Sequence, residues 1–146
     1  MFKTDGGGYA LRLNDAKISV GLTSWNTKLS QIAKTPVERR IIIVTYSLPR
    51  YQTFIPKILE KRSANVLIIC HMKFMERALE LQKRFPLLRF RFLDNVHAKV
   101  VLIEPDTVWL SSANFGSSKW IECTIGIHSE KAYDVTLKEI IKSCSI

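Results

Sequence analysis

Four side chains in one stretch, HAKVVLIEPDTVWLSSAN from His97 to Asn114, have types and spacing suited to joint chemistry. An imidazole and an ammonium stand two residues apart at His97 and Lys99, and a hydroxyl and an amide follow at Ser112 and Asn114. Alternate residues of a strand point to one face. His97 and Lys99 are therefore expected to project together from one strand, and Ser112 and Asn114 from the returning strand. Glu104-Pro105-Asp106-Thr107 lies between them as a turn, with Pro105 suited to its second position. Such a hairpin brings a nucleophile or base, a cation and two neutral donors to one point. That set suits a phosphodiester, which needs attack at phosphorus and stabilisation of oxygens on which charge develops.

Period and punctuation mark the elements that must carry this hairpin. A short strand is expected over 18–22 and a helix over 25–34, capped by Ser24, spaced by Trp25, Leu29 and Ile32, and ended by Pro36. The β-branched run 41–46 reads as a strand covered on both faces. Thr53 can cap a helix to Lys61, with Pro56 harmless in its first turn. A buried strand over 65–70 precedes an amphipathic helix over 74–85, with Met75, Ala78, Leu79 and Gln82 along one stripe and Pro86 as its stop. Strands follow over 88–93, 98–103, 107–111 and 122–128, and Ser129 caps a last helix carrying Tyr133, Leu137, Ile140, Ile141 and Cys144 mostly inward. Early alternation of strand and helix, then consecutive strands, predicts an α/β fold with a mixed β-sheet layered by helices. The length suits a single domain over 1–146, with a flexible lead over 1–9 that includes the glycines Gly6 to Gly8.

Taken in order, His97, Lys99, Glu104, Ser112 and Asn114 resemble the HKD motif of the phospholipase D superfamily, and a short chain with one copy is most similar to its compact nucleases. The downstream segment SSKWIECTIGI resembles the family's next strand, in which a glutamate, here Glu122, helps to hold the catalytic histidine. IIIVTYSLPRYQTFIPKILEKRSANVLIICH resembles its strand, helix, strand lead-in, so the resemblance covers roughly residues 40–146. It departs twice. Glu104 stands where the family has aspartate, one methylene further out, and Ser111 replaces the glycine before the serine, which could tighten access to the phosphate.

The resemblance implies a phospholipase D-like fold and a two-step reaction through a phosphohistidine. The family needs two motif copies and this chain has one, so a twofold homodimer is expected to complete the site. One His97 would attack phosphorus while the partner copy protonates the leaving oxygen, giving a coupled pair and a bell-shaped pH profile. Lys99 would neutralise the non-bridging oxygens, Ser112 and Asn114 would hydrogen-bond them, and Glu122 would accept the other ring N–H of a histidine. Glu104 would be a supporting contact, one that Asp106 could take over. No metal and no cofactor are implied, since lysines supply the neutralising charge.

A net charge of +9 favours polyanionic partners, with nucleic acid (DNA or RNA) first and anionic lipid headgroups second. Arg39, Arg40, Lys57, Lys61, Arg62 and Lys73 are the densest cations before the motif. No apolar run reaches the ~20 residues of a membrane span, and no signal-peptide core opens the chain. The expected location is cytoplasmic, without stable membrane association. Cys70, Cys123 and Cys144 are too dispersed for a zinc site and read as reduced, mostly buried thiols.

The leading expectation is thus a metal-independent nuclease. A catalytically weak or inactive nucleic-acid-binding module and a phospholipid phosphodiesterase are the alternatives. Several residues also have plainer roles open to them. Asn114 could cap the turn before Gly116, and Glu104 could be a turn contact only. His71 and His128 could be ordinary surface or core histidines. Trp109 reads as packing, whereas Trp120 could stack bases.

Overall fold

The computed structural model describes residues 14–22, 26–50, 54–116 and 118–144. The triglycine, the caps expected at Ser24 and Thr53, Trp25 and Ser117 lie outside the described residues. In chain order the elements are β1 (Ala16–Gly21), α1 (Asn26–Lys34), β2 (Ile41–Val44), α2 (Phe54–Lys61), β3 (Val66–His71), α3 (Met75–Arg84), β4 (Arg89–Leu93), β5 (Val100–Ile103), β6 (Thr107–Ser111), β7 (Glu122–His128) and α4 (Glu130–Ser143). They form the expected α/β arrangement around one seven-stranded mixed sheet in the order β1-β7-β6-β5-β2-β3-β4. The β2, β3 and β4 strands run parallel, and every other pairing is antiparallel.

Strand alternation divides the core in two. Ile41 and Ile43 of β2, Val101 and Ile103 of β5 and Trp109 of β6 face α1, α2 and α3. Ile42, Val44, Val100, Leu102 and Val108 face α4. All four residues of β2 and of β5 are buried, as continuous aliphatic runs require at the centre of a sheet covered on both sides. Each such side chain contributes roughly 1.5–3 kcal/mol by leaving water. That concentration of burial makes the middle of the sheet a rigid base for whatever projects from its ends.

Local features depart from the expected pattern in four places. The stripe of α3 is rotated: only Ala78 is buried, Met75 and Leu79 are exposed, and Phe74 and Leu81 pack on the core instead. Phe74 and Phe85 bracket the helix and fix which side turns inward, because large aromatics bury more area than Met75 or Leu79. The Glu104–Pro105 bond is cis, so Pro105 does not take the second position of an ordinary turn. Arg62 is buried rather than presented to a polyanion. Its guanidinium donates to the carbonyl oxygens of Thr35 and Pro36, both at 3.1 Å, and of Arg39, holding the α1–β2 connection. Lastly, Ile18 and Val20 of the edge strand β1 are about 70 % exposed.

The caps follow local chemistry. Ser129 accepts from the Ala132 N–H at 3.1 Å and starts α4 as expected. His71 Nδ1 accepts from the Lys73 N–H at 3.1 Å and starts a short 3₁₀ turn, Met72–Phe74, before α3. Cys70 and Cys144 are buried and Cys123 is exposed. Among the described residues no helix is long and apolar enough to cross a membrane.

Candidate active site

The carboxyl ends of β2, β3 and β6 and the amino ends of β5 and β7 meet at one edge of the sheet, the usual place for a site in a layered α/β fold. His97 and Lys99 reach this edge from the extended segment before β5, not from the strand itself. Val96 is buried against the α4 face, and the Lys99 carbonyl accepts from the Ser111 N–H at 3.0 Å, so both ends of the segment are fixed. The expected shared projection holds: Lys99 Nζ is 3.2 Å from Nδ1 and 3.4 Å from Nε2 of His97. For Lys99 to donate, the ring nitrogen it approaches must be unprotonated.

Ser112 and Asn114 lie just past the end of β6. The Asn114 Oδ1 accepts from the Tyr46 N–H at 3.1 Å, the Ser47 N–H at 3.3 Å and the Thr45 hydroxyl at 3.3 Å, and so staples the loop to the end of β2. This, not a cap before Gly116, is the structural role of its oxygen. With Oδ1 engaged, the Asn114 amide nitrogen is a donor without a partner among the described residues. Thr45, wholly buried, accepts in turn from the Phe115 N–H at 2.9 Å.

Ser112 is placed differently from a simple phosphate donor. Its hydroxyl donates to Glu122 Oε2 and accepts from the Cys123 N–H at 2.9 Å. Glu122 Oε1 accepts from the Ser118 hydroxyl at 2.9 Å. Within this chain Glu122 therefore grips two serines, and no hydrogen bond joins it to His97. Glu122 also lies between two cations. Burial lowers the Lys99 pKa while the Glu122 charge raises it, and the same opposition acts at Lys28.

Lys28 is the residue that sequence reasoning missed. It is wholly buried on α1, with Nζ 3.4 Å from the Thr124 hydroxyl, and burial pushes its pKa down to about 7 despite the neighbouring Glu122. The Thr124 hydroxyl in turn lies 3.0 Å from that of Ser111. Ser111, the residue standing where the family has glycine, is thus turned towards Thr124 and accepts from the Ala113 N–H at 3.1 Å. One signal was available: Lys28 is four residues before Ile32, on the stripe that α1 buries.

Aromatic rings wall the other side. The Tyr46 ring centroid is 5.4 Å from that of His97, 5.1 Å from His71 and 5.5 Å from Phe74. His71 has both nitrogens engaged, Nδ1 by the Lys73 N–H and Nε2 with the Asp94 carbonyl at 3.1 Å.

The remaining acidic and histidine residues sit elsewhere. Glu104 is at the closed end of the hairpin, opposite the site. Its Oε2 accepts from the Arg40 N–H at 2.8 Å and its Oε1 lies 3.4 Å from the Arg40 guanidinium, so it ties the turn to the start of β2. Asp106 does not share that contact; it accepts from the Thr107 hydroxyl at 3.2 Å, near His128. Trp109 packs, as expected, and donates to Gln31 Oε1 at 2.7 Å. Among the described residues no three His, Cys, Asp or Glu side chains group as a metal would need.

Solved structures share this architecture. Nuc from Salmonella typhimurium, a phospholipase D family member, is 19 % identical with a TM-score of 0.63 over 86 % of this chain and 91 % of its own. NucT from Helicobacter pylori is 16 % identical with a TM-score of 0.66 over 89 % of this chain and 96 % of its own. TrmBL2, an archaeal chromatin protein with a novel mode of DNA binding, is 9 % identical with a TM-score of 0.60, matching 89 % of this chain and 52 % of its own. The chain has the phospholipase D superfamily fold. No protein-family model and no curated protein matches it in sequence.

Proposed function

We propose that the protein is a metal-independent phosphodiesterase that cleaves DNA or RNA at a site shared by two copies of the chain. The observation that carries this reading is the approach of Lys99 Nζ to His97 at the end of the sheet where Asn114, its Oδ1 held by the Tyr46 N–H, also stands with an amide nitrogen that has no partner among the described residues. His97 attacks phosphorus through a ring nitrogen that carries no proton. The P–O bond to the leaving nucleotide breaks, and a phosphohistidine forms. Lys99 swings from the imidazole to a non-bridging oxygen, and Asn114 donates to another. Water, deprotonated by the second histidine, then displaces His97 from phosphorus and releases the phosphate ester. Metal independence is assigned because lysines from both copies neutralise the charge.

The acid that protonates the leaving oxygen comes from the partner copy. The chain has three histidines. His71 has both nitrogens engaged, and His128 lies at the far end of β7 beside Asp106. Neither can oppose His97, so a twofold partner supplying its own His97 is the economical arrangement. Glu122 acts within each chain by orienting Ser112 and Ser118, and a remaining lone pair on its engaged oxygens would take the ring N–H of the partner's histidine across the interface. Ser112 supports the phosphate mainly by holding the loop, and Glu104 supports the hairpin rather than the reacting atoms. The net charge of +9 supports a polyanionic substrate, as does the shared fold with Nuc and NucT.

The test is cleavage of labelled single- and double-stranded nucleic acid in excess chelator. Products should persist, vanish in His97→Ala, and accompany a trapped adduct that is stable in alkali and labile in acid. Full activity from a monomer would refute the shared site. Tight binding without products would favour a non-catalytic module, a reading that the similarity to TrmBL2 keeps in view.

A further inference from the structure

Next to the candidate site lies a recess of about 320 Å³, bounded by Asn114, Ser118, Lys119, Trp120 and Glu122. Its volume falls at the small end of ligand pockets, roughly 300–1,000 Å³. Trp120 forms one wall and is 78 % exposed. An indole left in water is costly, since its large apolar face gains by covering. The main chain beneath it is held: the backbone N–H of Trp120 donates to the Ser118 hydroxyl at 3.0 Å, and that hydroxyl donates to Glu122 at 2.9 Å. The carboxylate that grips Ser112 thus also anchors the backbone from which the indole projects.

We propose that this recess is a nucleobase subsite, in which Trp120 stacks an unpaired base of the strand whose phosphate is held by His97, Lys99 and Asn114. The inference rests on the phosphodiesterase reading and extends it to a substrate class, single-stranded nucleic acid. Asn114 links the two places, since it belongs both to the phosphate cluster and to the recess. A base in a duplex has both faces covered by its neighbours, whereas an unpaired base offers a face to an aromatic ring. Among the described residues Glu122 is the one acidic side chain lining the recess, which disfavours a second phosphate there and suits a neutral planar group. Lys119, exposed beside Trp120, is placed to meet the next phosphate along the strand. The stack reads a π-face, so the subsite tolerates any base.

The test compares three labelled substrates: a single strand, the same strand with an abasic nucleotide beside the cleaved phosphate, and the duplex. Wild-type protein should give the lowest KM on the intact single strand. Trp120→Ala should raise that KM by about 5- to 150-fold, the usual strength of base–aromatic stacking. It should leave the abasic KM unchanged, and Trp120→Phe should restore most of the loss. Equal effects on intact and abasic strands, or none, would overturn the subsite. A Trp120→Ala protein that elutes as a smaller species than wild type would also overturn it, by placing the indole in a contact between copies. Repeating the comparison as Kd with His97→Ala protein separates the two readings. Loss of base-dependent binding refutes the recess, whereas undiminished cleavage by His97→Ala refutes the site.

Discussion

Replacing Lys28 with methionine should flatten the pH dependence of stability near neutrality. The ammonium is wholly buried, and burial pushes its pKa from 10.5 down to about 7. At about 1.36 kcal/mol per pH unit, a buried charged Lys28 costs up to about 5 kcal/mol. The sign follows from proton counting. Between about 7 and 10.5 the unfolded chain keeps the Lys28 proton while the folded chain has released it, so stability rises with pH across that window. Below about 7 both states hold the proton and the full penalty is present. Integration from about pH 6 to about pH 9 gives a gain of about 3 kcal/mol. Urea unfolding of wild type and K28M at those two pH values measures it. Methionine has a similar length and no charge, so the variant should gain about 3 kcal/mol less than wild type over the interval. Lys99, whose pKa is also lowered, is common to both proteins and largely cancels in the difference. Parallel stability curves would refute the reasoning and mean that the Lys28 ammonium is not desolvated.

Changes at three further positions have expected outcomes. Asn114→Asp keeps the oxygen that receives the Tyr46 and Ser47 N–H groups but removes the amide donor, so the protein should fold while kcat falls by about 10²–10³; Asn114→Ala strands those N–H groups and should also lose about 1–3 kcal/mol in urea unfolding. Glu104→Ala should cost about 1–2 kcal/mol through the lost Arg40 N–H acceptor, with kcat unchanged, because the carboxylate stands at the opposite end of the hairpin from His97. Gly126→Ala would drive a Cβ into the Trp109 ring and should lower stability by about 1–3 kcal/mol, seen as a reduced melting midpoint.

The sheet was legible because its signal is local. Ile41 to Val44 and Val100 to Ile103 are unbroken aliphatic runs, and such runs belong where two layers cover a strand. The α3 stripe misled because period alone marks Met75 and Leu79 as well as Phe74 and Leu81. Which pair turns inward depends on the sheet opposite, and Phe90 and Phe92 lie there. The candidate site divides in the same way. His97 and Lys99 meet because they are two residues apart, and spacing reports that directly. The partners of Ser112, Asn114 and Lys28 are set by tertiary approach: Asn114 bonds the three residues that follow β2 from 67–69 residues away, and Lys28 reaches Thr124 across 96. No window of sequence contains such a pair. Glu122 shows the consequence most clearly. A carboxylate on a strand end is ordinarily solvated, yet here it joins two serines and lies between Lys28 and Lys99. Its charge offsets that of Lys99 while its oxygens fix the loop bearing Trp120. A change in the charge of Glu122 should therefore disturb phosphate and base recognition together.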